Sequence, residues 1–195
     1  MFSGIVESQG RVIATSIKGS CKRVRIQKSR SWRLSIGESV NVDGICSTVV
    51  AKSSANFDVE YMPQTLSKTT AYRFEKGTIV NLERSLVYGK RIHGHFTMGH
   101  VDARTIILTL SKRGRSRLMT IRMPRDLSKY IVARGSVAIN GVSLTIAKKT
   151  QSAFVVALIP HTLKVTNLGQ LKSGDEVNVE CDMLARYGLA GVRRR

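Results

Sequence analysis

Two matching stretches hold the residues best placed to do chemistry. Gly44-Ile-Cys46-Ser47-Thr48 carries a thiol and a hydroxyl two residues apart, and Gly141-Val-Ser143-Leu144-Thr145 carries two hydroxyls at the same spacing. On a strand, side chains alternate between faces, so Cys46 and Thr48 share one face while Ile45 and Ser47 share the other. Ser143 and Thr145 oppose Val142, Leu144 and Ile146 in the same way. Small polar atoms on an otherwise apolar sheet suit a flat heteroaromatic ligand with amide-like edges. They suit equally well the satisfaction of backbone groups at strand ends. A third stretch, His93-Gly-His95-Phe-Thr-Met-Gly-His100-Val-Asp102, offers imidazoles that titrate near neutrality and commonly bind metals. No cysteines or acids with ligand spacing accompany them, and on one strand His93 and His95 would face away from His100. No metal site is expected.

A repeat positions these stretches. Gly44 and Gly141 stand 97 positions apart, and the same offset joins Ser39 to Ser136, Phe57 to Phe154, Pro63 to Pro160, Asn81 to Asn178 and Glu83 to Glu180. An ungapped register of that length indicates two copies of one domain. A chain of 195 residues has room for two domains of roughly 90. Short apolar alternations broken by Gly, Asp-Gly and Asn-Gly predict a meandering antiparallel sheet or small barrel in each copy. Strands are expected at residues 5–7, 10–14, 24–27, 39–42, 45–51, 56–61 and 78–83, with the same layout from about 97 to 180. The clearest helix signal covers 125–134, after Pro124, with Leu127, Tyr130 and Ile131 on one face and Gly135 to stop it. Helical turns are expected after Pro63 and Pro160. Gly99-His100 opens the second copy where Gly4-Ile5 opens the first, so a histidine there makes two similar sites chemically unequal.

Composition bounds the function. No run of 18 apolar residues exists, and the start of the chain lacks a charged region followed by an apolar one, so neither a membrane span nor a secretory signal is expected. Three widely spaced cysteines, Cys21, Cys46 and Cys181, favour free thiols in the cytoplasm. The net charge of +19 raises the question of nucleic acid. The basic residues are scattered (Lys22-Arg23, 28–33, 112–117, 193–195) without an aromatic reading motif, so a basic solvated surface is expected and no nucleic-acid role.

The opening Met1-Phe-Ser-Gly-Ile-Val-Glu7 resembles that of the riboflavin synthase family, the kind built from lumazine-binding repeats. So do Val42-Asp-Gly-Ile-Cys-Ser-Thr48, Met62-Pro-Gln-Thr-Leu66, Val80-Asn-Leu-Glu-Arg84, Gly94-His-Phe-Thr-Met-Gly-His-Val-Asp102, Asn140-Gly-Val-Ser-Leu-Thr145 and Leu158-Ile-Pro-His-Thr162. The resemblance covers nearly the whole chain. It implies an all-β fold of two tandem six-stranded Greek-key β-barrels, at 1–92 and 93–182, with short helices and a C-terminal tail at 183–195 that ties three chains together. It implies dismutation of two 6,7-dimethyl-8-ribityllumazine molecules, one giving a four-carbon unit to the other, without cofactor or metal. The products are riboflavin and 5-amino-6-(ribitylamino)uracil. Association with lumazine synthase is a further partner it implies.

By the same resemblance, His100 is the leading group for proton transfer, and Cys46, Ser39 or a bound water is the nucleophile at lumazine C7. Ser143, Thr145 and Asp182 belong to the second-barrel site and Thr48 to the first. The segments Gly4-Ile5-Val6, Glu60-Tyr61-Met62-Pro63-Gln64-Thr65, Gly99-His100-Val101 and Ala157-Leu158-Ile159-Pro160-His161-Thr162 would bind pterin edges and ribityl hydroxyls, and Arg134 fits a ligand-contacting position. Ser47, Leu144 and their neighbours complete the strands of the two sites. The chain departs from the family at Ser47 (usually leucine), Gln64 (usually Glu) and His93 (usually Gly), and its tail is short with helix-weakening Gly188 and Gly191. A non-enzymatic lumazine- or flavin-binding protein of the same fold is the rival reading; it tends to lose the polar set that Ser39, Cys46 and His100 retain here.

Overall fold

The structure, a computed structural model, describes residues 1–192; the basic run 193–195 lies outside the described residues. Six strands form the first barrel: β1 (Ser8–Lys18), β2 (Cys21–Gln27), β3 (Ser39–Val42), β4 (Ile45–Lys52), β5 (Asn56–Tyr61) and β6 (Ile79–Arg84). Six form the second: β7 (Ala103–Arg113), β8 (Ser116–Arg122), β9 (Ser136–Ile139), β10 (Val142–Lys149), β11 (Ala153–Leu158) and β12 (Glu176–Cys181). Both sheets close on themselves, in the order β1-β2-β5-β4-β3-β6 and its equivalent β7-β8-β11-β10-β9-β12. Closure abolishes sheet edges and needs strands that bend. The bends come at matching register shifts, at Val12/Ala14 and Val49/Ala51 in the first barrel and at Ile107/Thr109 and Ile146/Lys148 in the second.

Each barrel has its own apolar interior, one around Val24, Phe57, Val59 and Leu82, the other around Ile121, Phe154, Val156 and Val179. The short helices α1 (Pro63–Lys68) and α2 (Pro160–Val165) begin on the two prolines, and α3 (Met183–Val192) ends the described chain.

Three local expectations are corrected. Residues 5–7 form no strand, and β1 begins at Ser8. No long helix covers 125–134; a 3-10 turn at Arg125–Leu127 leads into further turns. No side chain caps that turn, while Leu127 and Ile131 plug the barrel and Arg134, in the left-handed region, donates its N–H to Ile146 O. Tertiary anchoring of this kind overrides an amphipathic pattern. Finally, 93–102 is not a strand, so the opposed-face reading of its histidines fails. A short antiparallel bridge joins Thr97 to Phe2 instead. The chain between β8 and β9 is two residues longer than that between β2 and β3, so the 97-residue offset holds only from β3 and β9 onward.

The barrels meet across a polar seam with approximate twofold symmetry. Asn81 Nδ2 donates to Asn140 O and Asn167 Oδ1, and Asn178 Nδ2 donates to Asp43 O and Thr70 Oγ1. Gly44 and Gly141 touch at its centre. A Cβ on Gly44 would come within 2.9 Å of Gly141 N, and both have positive φ, so only glycine suits either turn.

Candidate active site

On β3 and β4, Ser39 lies opposite Thr48 and Asn41 opposite Cys46, which places Ser39, Cys46 and Thr48 on one outer face. The pleat carries Ile45, Ser47 and Val49 inward, and all three are buried. A cleft of about 460 Å³ opens over the outer face. It is lined by Cys46, Gln64, Thr65 and Lys68 from the first barrel, and by Gly99, His100 and Val101 from the segment leading into the second. That segment crosses over: Cys46 N donates to Gly99 O at 2.8 Å, and Val101 packs on the first barrel's core. A thiol and an imidazole thus border one cleft.

The mirror arrangement covers the second barrel. Ser143 N donates to Gly4 O at 2.7 Å, and Val6 packs on the second core. Ser136 lies opposite Thr145 and Ala138 opposite Ser143. The Ser143 hydroxyl shares a 2.7 Å hydrogen bond with His95 Nδ1. Burial holds the His95 imidazole below its usual range, against the opposing pull of the Asp182 carboxylate, and its Nε2 is buried without a hydrogen-bond partner. Asp182 also accepts the N–H of Leu184 at the start of α3. The two regions therefore differ in chemistry, Cys46 with His100 in one, Ser143 with His95 and Asp182 in the other.

Other anticipated positions fall around these. Gln64, Thr65, His161 and Thr162 lie in α1 and α2, directly after Glu60–Pro63 and Ala157–Pro160 at the ends of β5 and β11. The side chains of Ser47, Leu144, Tyr61 and Leu158 point into the barrel interiors, so contact with a ligand from these positions falls to the backbone. Ser47 Oγ is bonded to Tyr61 OH at 3.0 Å and donates to Ile45 O at 2.9 Å. Burial keeps the Tyr61 phenol well above its usual range. The second copy has Leu144 and Leu158 at these two positions, so the polar pair replaces an apolar one as a unit. Arg134 is exposed on its turn. Among the described residues no group of three side chains could hold a metal ion.

Residue type and local spacing alone do not single out Lys68, Glu83 or Glu180, nor His95 beyond its place in the histidine trio. The two glutamates had a signal, since they share the repeat offset at the end of each barrel's last strand.

A model of the lumazine binding domain matches this chain twice, over residues 3–85 and 98–182. The chain belongs to the lumazine-binding family. Lumazine-binding relatives include a riboflavin synthase of Bacillus subtilis (strain 168), 35% identical over 96% of this chain and 87% of its own length. Another, from Brucella abortus (strain 2308), is 37% identical over 96% of each chain. Among solved structures, LumP complexed with riboflavin is 26% identical with a TM-score of 0.86, covering 93% of this chain and 99% of its own. LumP complexed with 6,7-dimethyl-8-(1'-D-ribityl) lumazine gives 0.84 over the same coverage.

Proposed function

We propose that this chain is a riboflavin synthase, converting two molecules of 6,7-dimethyl-8-ribityllumazine into riboflavin and 5-amino-6-(ribitylamino)uracil. The observation that carries this reading is the pair of similar but chemically unequal regions, one on each barrel, each covered by the lead-in segment of the other. A dismutation needs one molecule as donor and one as acceptor, so identical substrates must meet different protein groups.

The lumazine 7-methyl is acidic because its carbanion delocalises into the ring, and His100 at the rim of the first cleft is suited to move that proton. The partner lumazine needs addition at C7, for which Cys46, Ser39 or a bound water could serve. In the second region the His95 imidazole is a ready acceptor for the Ser143 hydroxyl proton. Much of the rate would come from holding two flat ligands face to face, which turns a bimolecular encounter into an oriented pair. No cofactor, nucleic acid or membrane enters this scheme.

We further propose a homotrimer in which the first barrel of one chain faces the second barrel of its neighbour. The exposed Leu184 and Tyr187, one turn apart on α3, support association through that helix. Docking with lumazine synthase fits a pathway that passes lumazine directly onward. Three cysteines without disulfides support a cytoplasmic setting.

The test is direct: the protein is incubated with 6,7-dimethyl-8-ribityllumazine alone and riboflavin fluorescence is followed. Turnover without added metal is expected; tight binding without turnover would replace the synthase with a lumazine carrier.

A further inference from the structure

Glu83 ends β6 and Glu180 ends β12 save for one residue each, and both are buried, at 4% and 3% exposed. Glu83 accepts the N–H of Ser3 at 2.7 Å, the Ser3 hydroxyl at 2.7 Å and the N–H of Gly4 at 3.0 Å. Glu180 accepts the N–H of Met98 at 2.6 Å and of Gly99 at 3.0 Å. A carboxyl group that gathers successive backbone N–H groups fixes the rotation of that peptide segment.

The two segments held in this way are the ones that cross between barrels. Gly4 O receives the N–H of Ser143, and Gly99 O receives the N–H of Cys46. There is no slack in either contact. A Cβ at Gly4 would stand 2.6 Å from Ser143 Cβ, and one at Gly99 would stand 2.7 Å from Cys46 Cβ. A continuous line of contact therefore runs from Glu83 in the first barrel through Gly4 to Ser143 in the second. Its counterpart runs from Glu180 in the second barrel through Gly99 to Cys46 in the first, with His100 the next residue along.

We propose that Glu83 and Glu180 are positioning residues that act across the molecule, each setting the outer β-hairpin face of the barrel to which it does not belong. The cross-connection itself stands on the geometry, while its consequence for the ligand rests on the lumazine-binding reading above. The two lines are unequal in one respect: Ser3 adds a side-chain donor that Met98 cannot supply. The second-barrel region is accordingly the more firmly held.

Amide hydrogen exchange of the unliganded protein tests the connection without any substrate. In Glu180→Gln an amide NH₂ replaces one acceptor oxygen, and the Cys46 N–H is expected to exchange at least tenfold faster with the Ser143 N–H unchanged. In Glu83→Gln the pattern reverses. Ser3→Ala, which removes one hydrogen bond and leaves the carboxylate, is a milder variant expected to accelerate Ser143 alone and covers the case of a Gln variant that fails to fold. Binding of 6,7-dimethyl-8-ribityllumazine, followed by separate ¹³C resonances for the two sites, should show the same crossing, with roughly tenfold weaker binding at one site and under twofold change at the other. Equal acceleration at both amides, acceleration in the glutamate's own barrel, or none would overturn the proposal. Crossed exchange in a protein that binds no lumazine would leave the connection standing and refute the functional reading instead.

Discussion

At the scale of single residues, the first cleft combines one titratable ring with one thiol, and their roles separate by substitution. His100→Ala removes the proton-transfer group and should lower kcat by about 10²–10⁴-fold with a much smaller change in KM, read from steady-state riboflavin formation. Cys46→Ser keeps a nucleophilic atom of lower intrinsic reactivity, and a fall of similar size would assign the addition at C7 to the thiol. The buried Ser47–Tyr61 pair makes a separate prediction about stability. Ser47→Ala leaves the phenol without its partner and should cost about 1–3 kcal/mol in denaturant unfolding. Ser47→Leu combined with Tyr61→Leu copies the Leu144 and Leu158 pair of the second barrel and should restore most of that loss.

At the scale of elements, the lead-in segments matter as much as the strands. Phe2 is wholly buried and bridges Thr97, with N–H to O distances of 2.8 and 3.0 Å. Phe2→Ala should therefore cost about 3–5 kcal/mol of stability and loosen both lead-in segments, measurable together by thermal melting and lumazine binding. Gly44→Ala forces a Cβ against the Gly141 backbone at a positive φ and should weaken the seam between barrels more than either core. Most strands could be read from sequence because closed barrels keep strict alternation: Ile45, Ser47 and Val49 inward, Cys46 and Thr48 outward. Residues 125–134 misled because Leu127 and Ile131 repeat at helical spacing for a different reason, to stopper a barrel end. Residues 5–7 and 93–102 misled because each segment is held partly from the other copy, with Val6 on the second core and Gly99 O bonded by Cys46 N, and no local pattern records such a contact. The catalytic candidates Cys46 and Ser143 were visible as residue types in a repeat and His100 as a histidine at the entry of one copy alone, whereas the pairing of His95 with Ser143 arises only when the irregular lead-in segment folds onto its own, second barrel.

At the scale of the whole molecule, buried carboxylates set the response to pH. Burial, partly offset by backbone donors, pushes Glu180 up to about 7. Burial against the Asn81 and Asn167 hydrogen bonds pushes Asp43 up to about 8. In both cases the folded state holds its proton more tightly than the unfolded chain does. Their favourable contribution is therefore complete at acid pH and declines as pH rises through about 7 and 8. Melting temperature should fall between about pH 4 and about pH 8, and Asp43→Asn, which copies Asn140, should flatten the last part of that fall, above about 7, while leaving the part due to Glu180. An unchanged slope in Asp43→Asn would remove Asp43 from the account.

The exchange of lead-in segments between the barrels also bears on the origin of the chain. A protein holding one repeat would expose the outer face of its β3–β4 hairpin on the side that Gly99 to Val101 now cover, while its first residues reached outward. Two such halves would complete one another around the axis that Gly44 and Gly141 now occupy. Fusion of the halves would then have preserved an older homodimer, and freed each copy to acquire its own side chains.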